Sequence, residues 1–100
     1  PQYKEVSLSE AQLARIEGDF EMTSTMTSDK TTISLKVANG QLRSPQLPGP
    51  LIPFRENGFY VADDLEWVVI FEDDFSTGTI KNLFGDSTLK RVEKIAAAGT

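Results

Sequence analysis

The residues of this chain that could do chemistry are hydroxyls, lysines and carboxylates, because histidine and cysteine are both absent. Without histidine the usual general base near neutral pH and the commonest metal ligand are missing. Ser-His and Cys-His nucleophile systems are thereby excluded, and no disulfide or thiolate metal site can form. A Ser-Lys pair remains formally available at Ser28-Asp29-Lys30 or Ser34-Leu35-Lys36. In the second, alternation puts Ser34 and Lys36 on one polar strand face, where water solvates the ammonium and nothing activates the hydroxyl.

Carboxylates cluster at Asp63, Asp64 and Glu66, and again at Glu72, Asp73 and Asp74. A glycosidase would set two of them across a cleft roughly 5–10 Å apart. Both clusters lie in or beside turns, however, where Asp is favoured because it bonds nearby amides. Asp73-Asp74-Phe75-Ser76-Thr77-Gly78 has oxygen side chains before a glycine. It lacks the spacing and the bidentate Glu of a dedicated calcium loop. The residues therefore predict no catalytic site, no cofactor and no metal.

Composition narrows the partners. The chain has 100 residues and a net charge of −5, enough for one domain with one core. Its only basic cluster is Lys90, Arg91 and Lys94, too short for the stripe that displaces counterions from a phosphate backbone. Nucleic acid is not an expected partner. The longest apolar run, Trp67 to Phe71, is strand-sized, so no membrane-spanning helix is predicted. The chain opens at Pro1 with no visible leader, which fits either a removed leader or a piece of something longer. A periplasmic or secreted location is slightly favoured over a cytoplasmic one.

The elements that must position these groups are short and extended. Ser7-Leu8-Ser9-Glu10 reads as a capping box opening a helix over about 8–16, ended by Gly18. Thereafter strands alternate with turns. Residues 19–25 place Phe20 and Met22 on one face, and 31–38 put Ile33, Leu35 and Val37 inward. Asn39-Gly40 is the strongest hairpin signal, with 41–44 returning and Leu42 as its apolar anchor. Pro45 to Pro53 holds four of the five prolines and must be a loop, corner or edge. Residues 51–55 then form a short strand.

Asn57-Gly58 predicts a second hairpin into 59–62, and Asp63-Asp64 a further turn. Residues 65–72 form the most hydrophobic strand, and a polar loop follows over 73–78. Strand 79–84 carries Ile80, Leu83 and Phe84. Gly85-Asp86 turns, strand 87–92 closes the set, and 95–100 reads as a frayed helix or linker. About eight strands with short connections predict an all-β, antiparallel up-and-down barrel with one short N-terminal helix. The chain is a single domain over 1–100, with 1–7 and 93–100 as linker or tail.

The string LSEAQLARIEGDFEM at 8–22 resembles the opening of the lipocalin-like domain appended to β-lactamase-type serine hydrolases. A Leu-rich helical turn there runs into an apolar-X-Gly-X-aromatic step, which here is Ile16-Glu17-Gly18-Asp19-Phe20; Ile16 stands where Tyr is more usual. A Thr-rich alternating strand, an Asn-Gly turn, Leu51-Ile52-Pro53-Phe54 and an Asp/Gly loop follow in order, so the resemblance spans 8–92. It implies a small bacterial barrel without a catalytic role of its own, the catalytic Ser and Lys lying in a preceding domain.

Two surfaces remain as candidates. Phe20, Leu35, Trp67 and Phe71 would contact an apolar small molecule if the barrel interior were open. Val68 and Ile70 form a second apolar face on strand 65–72, and a strand apolar on both sides is covered on both sides. The cover would be the N-terminal helix through Leu8, Leu13 and Ile16, or else a hydrolase domain or a second copy. The expected function is therefore a non-catalytic accessory or interaction domain, the alternative being a lipocalin-like carrier.

Overall fold

A computed structural model of the chain describes residues 4–61 and 66–92. The predicted turn at Asp63-Asp64, the start of the predicted strand at Leu65, and the tail over 93–100 lie outside the described residues.

One helix, α1 (Glu10–Ala14), precedes eight strands. They are β1 (Gly18–Ser24), β2 (Lys30–Ala38), β3 (Gln41–Arg43), β4 (Ile52–Arg55), β5 (Gly58–Val61), β6 (Trp67–Phe71), β7 (Thr77–Asn82) and β8 (Gly85–Arg91). All pairs are antiparallel, and the order is β3-β2-β1-β8-β7-β6-β5-β4. Apart from β3 and β4, chain neighbours are therefore sheet neighbours, and β1 meets β8. The two remaining edges, β3 and β4, touch through a single bridge in which the Leu51 amide donates to the Leu42 carbonyl at 2.9 Å. The result is the predicted up-and-down barrel, nearly closed. Its one seam falls where prolines remove ladder donors.

Alternation decides what lies inside. Phe20, Ile33, Leu35, Leu42, Phe59, Val69, Phe71, Ile80 and Leu89 are all buried and form one core with Leu13 and Ile16. Each comes from the apolar phase of a period-two strand, because successive side chains point to opposite faces. Met22, Val37 and Trp67 pack against this core while staying half-buried.

The helix starts two residues later than the Ser7 box predicts. Ser9 is the N-cap: its hydroxyl accepts the Gln12 amide at 3.1 Å, and Gln12 Oε1 accepts the Ser9 amide at 2.8 Å. This phase puts Leu13 at the position that packs on Leu8 across the helix start, and both line the same small cleft. A cap at Ser7 would put Ala11, not Leu13, at that position. The helix packs on β2 at one end of the barrel and sends Leu13 and Ile16 into the core. It is not the outer cover of β6.

Two turns also differ from expectation. Asn39 and Gly40 adopt φ of 54° and 77°, the positive pair that a two-residue hairpin matched to strand twist requires. Asn57-Gly58 does not repeat this. Glu56 and Asn57 make that turn, and Gly58 already pairs with Arg55 and Ile70 inside β5. A Cβ on Gly58 would come within 2.8 Å of Phe54 Cζ and 2.9 Å of Arg55 Nε. The glycine is there for room on the outer face, not for its φ.

Leu83 and Phe84 are not strand residues, and Gly85-Asp86 is not the turn. Asn82 pairs with Gly85, so Leu83-Phe84 is the hairpin apex, 64 % and 76 % exposed.

Candidate functional site

The barrel centre is a cluster of phenylalanines. The Phe71 ring lies 5.3 Å from Phe20, 6.2 Å from Phe59 and 6.1 Å from Phe75, centroid to centroid, all tilted or edge-on. These are the geometries that aromatic quadrupoles favour. Phe20, Leu35 and Phe71, named above as contacts for an interior ligand, are buried at 0 %, 1 % and 1 % and pack in this one core. Trp67 is half-buried at the rim of the same core. Its Nε1 is the single buried side-chain polar atom without a hydrogen-bond partner among the described residues.

Arg91 organises the helix-bearing end. Alternation along β8 turns Leu89 and Arg91 to the same inward side. The guanidinium stacks 4.6 Å over the Phe20 ring. Its Nε donates to the Phe75 carbonyl at 3.1 Å, Nη1 to the Glu17 carbonyl at 2.8 Å and Nη2 to the Arg15 carbonyl at 3.1 Å. Carbonyls at a helix C-terminus have no intrahelical partner, and a cation there also meets the negative end of the helix dipole. One side chain thus joins α1, β1 and the β6–β7 loop. Gly18, at φ 138°, makes way for it: a Cβ there would lie 2.6 Å from Arg91 Nη1. Arg15 completes the cap by stacking 4.7 Å over Phe75. Beside Arg91 an open cleft of about 640 Å³ runs past Asp19, Leu35, Lys36 and Val92.

The groups weighed for catalysis are dispersed. Lys30 lies 3.6 Å from Glu21, an exposed pair on neighbouring strands. The Ser34 amide donates to Gln46 at 3.0 Å, and Lys36 is exposed. Glu66, Glu72, Asp73 and Asp74 are all exposed. In the β6–β7 loop the Ser76 amide and then its hydroxyl hydrogen-bond Asp74, at 3.0 and 2.8 Å, and hold its carboxyl below the ordinary value. That is an Asx turn, in which the carboxylate serves its own loop. No group of three or more metal-ligating side chains occurs among the described residues.

The outer face of β4–β5–β6 carries the other candidate. Register places Ile52 opposite Tyr60, and Tyr60 opposite Val68. Ile70 lies one pleat further along, opposite Gly58 and Thr79. Val68 and Ile70 are half-buried, as are Ile52 and Tyr60, so the strip is wider than β6 alone. Only β6 could be read from sequence, because which strands share an outer row depends on register. No helix among the described residues is long and apolar enough to cross a membrane.

No family model, curated protein or solved structure matches this chain.

Proposed function

We propose that this domain is a non-catalytic accessory module that works through its outer surface, docking on a hydrolase domain or on a second copy of itself. The observation that carries this reading is a division of labour among apolar residues. The interior rings pack on one another within 5.3–6.2 Å, while Ile52, Val68 and Ile70 form an apolar row on the outside. Apolar rows on a sheet face are stabilised when a partner removes them from water. The resemblance of residues 8–92 to lipocalin-like domains that follow hydrolases supports the same reading.

The test is sedimentation of the domain over a concentration series, alone and with the hydrolase domain of its native reading frame. The V68D/I70D variant is expected to keep the fold and weaken association at least tenfold, since a carboxylate buried at an interface pays its desolvation unpaired. A wild-type domain that neither self-associates nor binds the hydrolase domain overturns the proposal.

A second reading, a lipocalin-like carrier of an apolar molecule, is favoured by one observation, the buried and unpartnered Trp67 Nε1. A ligand acceptor would satisfy that donor. Trp67→Phe removes it, and the thermal midpoint is expected to hold or rise by the equivalent of up to about 1 kcal/mol, since an unmade buried hydrogen bond is lost. Screening fatty acids and aromatics by thermal shift decides the rest. A rise for wild type that W67F abolishes supports the carrier, and a flat response ends it.

A further inference from the structure

We infer that the apex formed by Met26, Leu83 and Phe84 is a lipid-contacting tip that seats this domain on a zwitterionic bilayer surface. This goes beyond the docking face on β4–β6, which lies on the side of the barrel. The three residues occupy two adjacent hairpins at the end opposite α1, and they are 76 %, 64 % and 76 % exposed. Met26 reaches across from the β1–β2 turn, its Sδ 3.0 Å from where a Cβ on Gly85 would sit. The Thr25 amide also donates to the Asp86 carbonyl at 3.1 Å, so the two turns meet at one end of the barrel.

Nothing in the turn itself calls for apolar residues at 83 and 84. Asn82 Oδ1 accepts the Phe84 amide at 2.7 Å, and Gly85 supplies φ 146°. Those two residues set the chain reversal, and turn apices ordinarily carry polar side chains. Large apolar residues there stand in water without serving the core, which marks an interaction site.

The amides of the β1–β2 turn are bonded from within the domain. Ser24 Oγ accepts the amides of Met26 and Thr27 at 3.2 and 3.3 Å, and the Ser24 carbonyl accepts that of Ser28 at 2.9 Å. Thr27 Oγ1 accepts the Asp29 amide at 3.2 Å, and the Asp86 carbonyl accepts the Thr25 amide at 3.1 Å. A loop entering an apolar medium must carry its own hydrogen bonds, because hydrocarbon offers none. This one does.

Size and charge choose the occupant. Three such side chains supply no more than roughly 600 Å² even when fully covered, below the approximately 800 Å² per partner of a stable protein interface. The apex is convex, and a bilayer interface accepts a few inserted apolar residues without a matching pocket. The flanking charges, Asp29 and Asp86 against Lys30 and Lys81, cancel, and the whole chain carries −5. Attraction to anionic lipid is absent, so binding rests on apolar insertion.

Flotation with phosphatidylcholine vesicles tests this. The wild-type chain is expected to float with the vesicles, with little dependence on salt. L83S/F84S is expected to lower the partition coefficient on the order of a hundredfold with circular dichroism and melting unchanged. V68D/I70D should float like wild type, so the fate of the docking face is read separately. Because the chain has no cysteine, Leu83→Cys and Ala14→Cys each accept a single environment-sensitive dye. A blue shift on adding vesicles is expected only at position 83. Failure of the wild type to float, equal flotation of L83S/F84S, or a shift at 83 that grows with protein concentration in the absence of lipid would each overturn the inference. The last would assign the apex to a second copy.

Discussion

Arg91→Ala is expected to destabilise the domain by about 3–5 kcal/mol. Its guanidinium donates to three carbonyls, those of Arg15, Glu17 and Phe75. Hydrogen bonds from a charged donor contribute roughly 1.5–3 kcal/mol each, and three made by one group add to less than their sum. Removal also leaves the Phe20 ring without the plane stacked on it at 4.6 Å, and the helix end without its cation.

For a domain of this length each kcal/mol moves the melting midpoint by about 4–8 °C, so the loss is of order 15 °C or more. Urea and thermal melts give the magnitude. Amide exchange should localise the first opening to α1 and the β6–β7 loop. Arg91→Lys should recover only a minor part, since an ammonium is a point charge and not a planar fork. Gly18→Ala should disturb the same clamp, because its Cβ would lie 2.6 Å from Nη1. Its penalty should shrink in the R91A background, leaving the strain of φ 138°.

The second large effect lies at the centre of the barrel. Phe71→Ala removes the ring that touches Phe20, Phe59 and Phe75, and burying a cavity in place of a phenylalanine costs about 3–5 kcal/mol. Folded domains of this kind are stable by only about 5–15 kcal/mol, so the loss is a large fraction of the total. Phe71→Leu, which keeps part of the apolar volume, should be milder. Phe84→Ala provides the contrast: at 76 % exposure its equilibrium stability should stay within about 0.5 kcal/mol of wild type. Denaturant midpoints of these variants separate a phenylalanine that builds the core from one that does not.

Strands and turns were unequally legible. The alternation over 31–38 predicts β2 and its inward Ile33 and Leu35, both 1 % exposed. Asn39-Gly40 predicts its own hairpin because the φ values the turn needs are a property of those two residues. The same dipeptide at 57–58 misleads because a distant strand intervenes. The Asn57 carbonyl accepts the Phe71 amide at 2.8 Å, and its Nδ2 donates to the Phe71 carbonyl at 2.6 Å. That double bond to β6 holds Asn57 in the turn and assigns Gly58 to the ladder. At 79–84 the apolar letters of Leu83 and Phe84 extend a strand on paper, whereas Asn82 and Gly85 stop it in space. The capping box was legible as a type of motif and displaced by two residues. Ser7 and Ser9 both offer hydroxyls, and only a cap at Ser9 brings Leu8 and Leu13 together across the helix start.

The candidate surfaces divide in the same way. Val68 and Ile70 announce a second face by themselves, because β6 is apolar in both phases. Their extension by Ile52 and Tyr60 requires the register of β4 on β5. Arg91 could have been noticed as the cation in the inward phase of β8, two residues after Leu89; its partners could not.

The amino-acid sequence alone determined that this is an antiparallel barrel of about eight strands, which side chains of β1 and β2 face inward, and that neither histidine nor cysteine chemistry is available. Those properties follow from neighbours along the chain, through the two-residue pleat and the φ preferences of turn residues. Tertiary structure decided that Arg91 caps a helix 76 residues away, that the seam falls between β3 and β4, and that the turn carrying Met26 meets the turn carrying Leu83 and Phe84. Each depends on how segments remote in sequence meet when the barrel closes, and local periodicity carries no information about distance across that closure.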